Sequence, residues 1–181
     1  MIRRTVRKYA ERRLAPAAME MDRTGRFPWD IAAEMAELHY FGLEIPAEYG
    51  GAGLDTVSSS IVIEEISRAN AAMGLCVSVH NSVSAYPVYR FGNEDQHERF
   101  LRPLASGKSI GTFCQTEPDA GSDESSMEPR TSGEGEWYIL NGNKIFVTNG
   151  GISGINLIFS GSPDNGHGEG KRFTVFIVES E

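Results

Sequence analysis

The chain has 181 residues, enough for one substantial core or two small domains sharing an interface, with 40% apolar and 23% charged residues. Its 25 acidic against 17 basic side chains give a formal net charge of -8, which excludes non-specific nucleic-acid binding, because neutralising phosphates takes a basic surface. The two cysteines, Cys76 and Cys114, form no disulfide framework and point to a reducing compartment; the basic start Met1–Lys8 lacks the apolar run of a secretory signal.

The first hundred or so residues read as helices. An apolar stripe through Ile2, Val6, Tyr9, Leu14 and Ala17 predicts a helix over 2–20, ended by a turn at Gly25. Pro28 suits the first turn of a second helix on which Trp29, Ile31, Met35 and Leu38 share a face. Residues 42–53 hold too many Gly and Pro to be helical. Asp55 or Thr56 caps a third helix reaching about Asn70. From Ala71 to Phe91 nearly every face is apolar, which predicts a buried helix; Ser78, His80, Asn81, Ser82 and Ser84 interrupt it and rule against a membrane span. Asn93 caps the next helix, with Gln96 at the capping-box position, and that helix ends near Gly107.

After Ser109 the period changes. Residues 110–114, 136–140, 144–148, 155–159 and 172–178 read as short β runs, and Asn141-Gly142 predicts a hairpin between the second and third. The predicted class is α+β: an all-α helical domain over 1–108, then an incomplete antiparallel β-barrel or sheet domain over 109–181. A sheet that stops after about five runs leaves an apolar edge, which implies that the natural protein continues.

Two stretches carry chemistry. In Phe113-Cys114-Gln115-Thr116-Glu117-Pro118-Asp119-Ala120-Gly121-Ser122-Asp123, a strand opens into a loop with hydroxyls, a Pro-fixed bend and a Gly. Small residues there let a ligand approach backbone N–H groups, although composition alone gives only a turn. In Asn141-Gly142-Asn143-Lys144-Ile145-Phe146-Val147-Thr148-Asn149-Gly150-Gly151, an aromatic run ends in a hydroxyl and two glycines. The Cys76–His80 spacing reads as core rather than metal, His39, His97 and His167 are isolated, and no metal site is expected. Gly166–Gly170 follows no βα pattern and reads as a hairpin loop. Glu64 and Glu65 face different sides of a helix as caps and salt-bridge partners.

In this order and separation the two stretches resemble the acyl-CoA dehydrogenase family, whose signature runs Thr-Glu-Pro-x-Ala-Gly-Ser-Asp, then Asn-Gly-x-Lys-x-(Trp/Phe)-(Ile/Val)-Thr-Asn-Gly. Arg26-Phe27-Pro28, Pro46-Ala47-Glu48-Tyr49-Gly50-Gly51 and Glu64-Glu65-Ile66-Ser67-Arg68 also have counterparts there. The resemblance implies FAD as cofactor, with Phe113, Gln115 and Thr116 beside the flavin ring and Thr116 hydrogen-bonding its pyrimidine side. Phe146 would pack on the ring, followed by Val147, with Thr148 at the N5 edge. Gly121 and Ser122 would lie where cofactor phosphate and the pantetheine of the substrate pass. Leu75, Cys76, Val79 and Val83 would line the fatty-acyl pocket, with an ordinary core role as the alternative. Gln115 stands where an apolar residue is common, and Phe146 where Trp is common.

The implied reaction is α,β-dehydrogenation of acyl-CoA thioesters, as in β-oxidation, with a carboxylate taking the α-proton and hydride passing to flavin N5. In the family that carboxylate is a Glu of a C-terminal helical domain, which this chain lacks. No catalytic residue is assigned, and residues 1–181 alone are expected neither to bind FAD tightly nor to turn over. The implied partners are acyl-CoA and an electron-transferring flavoprotein, in a homotetramer of the bacterial cytoplasm or mitochondrial matrix. Alternatives are an acyl-CoA oxidase or flavin monooxygenase of the same fold, or a non-catalytic helical interaction module.

Overall fold

The computed structural model describes residues 1–123, 127, 131–134, 137–161 and 173–180. Helix α1 runs Ile2–Tyr9, passes through a π-helical stretch Ala10–Leu14 and continues over Ala15–Thr24. Gly25 ends it in the left-handed conformation (φ 63°), its N–H bonded to the Met21 carbonyl at 2.8 Å, as a glycine C-cap does. Helix α2 is Trp29–Glu37; Ile31 and Met35 are buried, whereas Trp29 and Leu38, expected on the same face, are largely exposed. Trp29 instead packs edge-on against Phe27.

Helix α3 is Thr56–Ala69, capped by the Asp55 carboxylate, which accepts from the Ser58 N–H at 2.7 Å. The extended residue Asn70 ends α3 and caps α4, its side chain accepting from the Met73 N–H. Helix α4 runs Ala71–Val79, through a π stretch His80–Ala85, into Tyr86–Phe91. It is less enclosed than its composition suggests: Leu75, Ser82 and Tyr86 are exposed. Helix α5 covers Glu94–Gln96, His97–Leu101 and Arg102–Ala105, and its predicted capping box forms, Asn93 and Gln96 bonding each other's backbone N–H.

The helices close on Leu14, Met35, Phe41, Ile66, Met73 and Val77. The fully buried Glu65 carboxylate accepts from Arg3 and Arg7, and Glu64 pairs with Arg3, so both acids are salt-bridge partners. A second core joins α5 to the sheet through Leu101, Leu104, Ala105, Ile155 and Leu157.

The strands are β1 Gly111–Cys114, β2 Thr131–Glu134, β3 Trp137–Leu140, β4 Ile155–Gly161 and β5 Phe173–Glu179. Helices precede the sheet, as read from the sequence, but the pairing is not antiparallel throughout. One sheet has the order β1-β4-β5, with β1 parallel to β4 (Gly111 opposite Ile155) and β4 antiparallel to β5 (Ile155 opposite Glu179). The forty-odd residues between β1 and β4 are ample for the crossover that parallel pairing needs. The expected Asn141-Gly142 hairpin is absent. β3 pairs with β2 (Thr131 opposite Leu140), and residues 144–148 form no strand. The reason is local: Phe146 and Asn149 have φ of 55° and 67°, which breaks an extended run, and Lys144 and Ile145 bond a loop instead of a ladder. The predicted strand ends Glu136 and Arg172, and the Gly166–Gly170 loop with His167, lie outside the described residues.

His80 locks β1 onto the helices. The Gly111 N–H donates to its Nδ1 at 3.0 Å, so Nε2 carries the proton, within 2.8 Å of the Phe41 carbonyl and 3.1 Å of the Leu104 carbonyl. Burial pushes this imidazole down to about 4. The contact is close: a Cβ on Gly111 would lie 2.0 Å from Ser84 Oγ and 2.8 Å from a Leu104 methyl.

Candidate functional site

The two motif stretches meet where β1 ends. Phe113, half-buried, packs its ring on Phe159 with centroids 4.6 Å apart. The chain then turns back on itself: Glu117 and Ala120 exchange backbone hydrogen bonds, leaving Pro118 and Asp119 at an exposed tip. Gly121 and Ser122 follow, both exposed, and among the described residues nothing lies within 4 Å of a Cβ at 121.

Two bonds join this loop to the second motif. The Ile145 N–H donates to the Thr116 carbonyl at 2.9 Å. Beside it, Lys144 Nζ donates to the Gln115 carbonyl at 3.0 Å and to Glu117 Oε1 at 2.9 Å, with Met127 Sδ at 3.6 Å. The ion pair is buried, with the Lys144 and Glu117 side chains 14% and 4% exposed. Thr116 thus sits beside the residue that precedes Phe146.

Phe146 holds a left-handed backbone and a ring that is 90% exposed. Both features are unfavourable for an aromatic residue in water. On its far side, Asn149 donates from its amide to the carbonyls of Cys76 and Gly111 at 3.2 and 3.1 Å. Residues 146–148 are therefore suspended between an anchor on the loop and an anchor on α4 and β1. Gln115, Thr116 and Thr148 are half-buried, and their side chains have no hydrogen-bond partner among the described residues. Half-buried amides and hydroxyls left free, beside an uncovered aromatic ring, suit a flat heterocycle with polar edges.

A cleft of about 770 Å³ opens beside Thr148. It is walled by the end of α1, residues 25–28, the α3–α4 junction and the turn at 147–152. Of the residues expected at an acyl pocket, Leu75 and Cys76 line it together with Val147 and Thr148. Val79 and Val83 do not; they are half-buried further along α4. Burial pushes the Cys76 thiol up to about 12 against a smaller opposing pull from Asn149, so it is a protonated lining group and not a nucleophile. His39 and His97 each face a backbone carbonyl. No cluster of three or more potential metal ligands occurs among the described residues, and no helix there is long and apolar enough to cross a membrane.

Sequence reasoning passed over Lys144, Glu117 and Asn149 as individuals. A lysine at the head of a strand-like apolar run, an acid before the Pro-fixed bend and an Asn before Gly, a residue tolerant of positive φ, were the available signals.

The profile of the acyl-CoA dehydrogenase N-terminal domain matches residues 1–108, and that of the middle domain matches residues 112–181. An acyl-CoA dehydrogenase of Bacillus subtilis (strain 168) is 43% identical over 181 residues, covering 99% of this chain and 47% of its own length. Butyryl-CoA dehydrogenase from Megasphaera elsdenii matches the structure with a TM-score of 0.89 and 34% identity, over 98% of this chain and 47% of that one. Glutaryl-CoA dehydrogenase from Mycobacterium smegmatis, solved in complex with FADH2, matches with a TM-score of 0.89 and 31% identity, over 98% of this chain and 44% of that one. The chain spans about half the length of the curated relatives it matches. On both profiles and on these relatives, the chain belongs to the acyl-CoA dehydrogenase family.

Proposed function

We propose that this chain supplies the helical and flavin-facing parts of an FAD-dependent acyl-CoA dehydrogenase that introduces an α,β double bond into acyl-CoA thioesters. The observation that carries the reading is the Ile145–Thr116 backbone bond that joins the first motif to the second, where Phe146 is exposed and Thr148 lines a cleft with Leu75 and Cys76. When bound, FAD supplies the acceptor for the hydride that leaves the substrate β-carbon.

This chain's own residues then bind and orient. Phe146, Phe113 and Val147 give a flavin ring an apolar wall. Thr116 and Gln115 offer hydrogen bonds at its pyrimidine side, and Thr148 at its N5 side, where donors favour the charge that develops on reduction. Leu75 and Cys76 shield the acyl chain from water, with Val79 and Val83 extending that wall along α4. Gly121 and Ser122 leave room for phosphate and pantetheine. The residue that removes the α-proton is not assigned within these 181 residues. The same reading makes an electron-transferring flavoprotein the electron acceptor, a homotetramer the assembly, and the bacterial cytoplasm or mitochondrial matrix the compartment.

The test is reconstitution with FAD of the protein encoded by the complete reading frame, followed by anaerobic addition of acyl-CoA. The proposal expects a yellow protein whose visible flavin band bleaches on mixing. A protein that takes up no flavin contradicts it, and residues 1–181 alone should stay colourless. Rapid reoxidation of the reduced protein by oxygen would favour an oxidase or monooxygenase of the same fold.

A further inference from the structure

The Lys144–Glu117 side chains are largely covered, unlike the exposed Phe146 ring two residues on. The Lys144 ammonium reaches the Gln115 carbonyl and the Glu117 carboxylate, and the next residue's N–H reaches the Thr116 carbonyl. Three consecutive residues of the first motif are thus held by two consecutive residues of the second. Two of the held residues, Gln115 and Thr116, have side chains with no hydrogen-bond partner among the described residues, and the holding residues precede the strained, exposed Phe146. A lysine stem crossing a buried space costs side-chain entropy and desolvation. A well-packed apolar pair would stabilise the fold as well, so stability alone does not explain a charge here.

We infer that Lys144 is a positioning residue for the flavin site: its ammonium fixes the distance between the Gln115–Thr116 edge and the Phe146–Thr148 edge, so that both meet one ring. Asn149 fixes the other end of the second edge on α4 and β1. Lys144 touches no substrate atom in this account and acts through the backbone of Gln115 and through Ile145. The inference rests on the flavin reading above.

The flavin-loaded protein tests it, with Lys144→Met and the double variant Lys144→Met/Glu117→Leu. The single variant takes the Lys144 ammonium away from the buried Glu117 carboxylate and is expected to melt earlier. The double variant removes both charges and is expected to recover the melting temperature. It does not restore the tether to the Gln115 carbonyl. It should therefore bind FAD about tenfold more weakly, lose about tenfold in kcat with KM little changed, and show a shifted visible flavin band, since small misplacements at a reacting centre are costly. Recovery of affinity, kcat and spectrum together with stability would overturn the inference and leave the pair a structural one. A wild-type protein that takes up no flavin would instead defeat the flavin reading itself, a result visible before any variant is made.

Discussion

The helical core and the end of β1 treat polar groups in opposite ways. In the helical part, His80 bonds three backbone groups, Asn81 bonds the Leu43 N–H and the carbonyls of Tyr40 and Val77, and the buried Glu65 carboxylate is held by arginines. The hydroxyls of Ser59 and Ser84 and His97 Nδ1 are the exceptions among the described residues. At Gln115, Thr116 and Thr148 the polar side chains have no hydrogen-bond partner among the described residues, and the Phe146 ring stands in water. Buried polar groups that are fully satisfied specify a fold, whereas groups left open at one place await something from outside. The contrast separates what holds this chain together from what it offers a ligand.

Breaking His80 should have the largest effect. His80→Leu strands the Gly111 N–H and the Phe41 and Leu104 carbonyls, and should cost about 3 kcal/mol or more in denaturant unfolding. The same residue sets a pH limb. Its folded pKa lies below its unfolded value of 6.5, at about 4, so the unfolded chain binds the extra proton between the two. Stability is full above 6.5 and falls by about 3 kcal/mol as pH drops towards 4, a slope that His80→Leu should abolish. Glu65, held down to about 2 by the guanidinium hydrogen bonds of Arg7 and then Arg3, adds a second loss at lower pH: its stabilisation is fully present above 4.5 and gone by about 2. Glu65→Gln should flatten that lower limb only.

Gly111→Ala should rank next, at about 1–3 kcal/mol, because the added methyl meets Ser84 and Leu104 in a close-packed seam. Phe146→Gly should sharpen the comparison by reversing sign. It relieves a left-handed backbone and removes an exposed ring, so thermal stability should hold or rise by about 1 kcal/mol while FAD affinity falls. The smallest stability effect is expected for Thr148→Val, whose hydroxyl has no partner to lose among the described residues; its cost should show in turnover alone.

The helices were legible because their signals are local. Asp55 and Asn93 bond the N–H groups their capping positions imply, and Gly25 ends α1 where a glycine stop belongs. The sheet was less legible, because pairing is decided between distant segments. The parallel match of β1 with β4 leaves no mark in either strand alone. Residues 144–148 carry a β-like composition, yet Lys144 and Ile145 spend their hydrogen bonds on the 115–117 loop, and Phe146 and Asn149 turn left-handed. The motif located the candidate surface; the buried pair that braces it became visible only in three dimensions. Leu75 and Cys76 line the cleft, and Val79 and Val83 lie further along α4.

The most direct measurement is a titration of isotope-labelled chain with FAD, followed by backbone amide shifts. Weak binding suffices, since a shift needs contact and not a tight complex. Shifts gathered at residues 113–122 and 145–149, with the amides of Val62, Ile66 and Val77 unmoved, are the predicted result. Shifts scattered over the helices, or none at the highest attainable FAD concentration, would contradict the assignment of the open polar surface to a flavin.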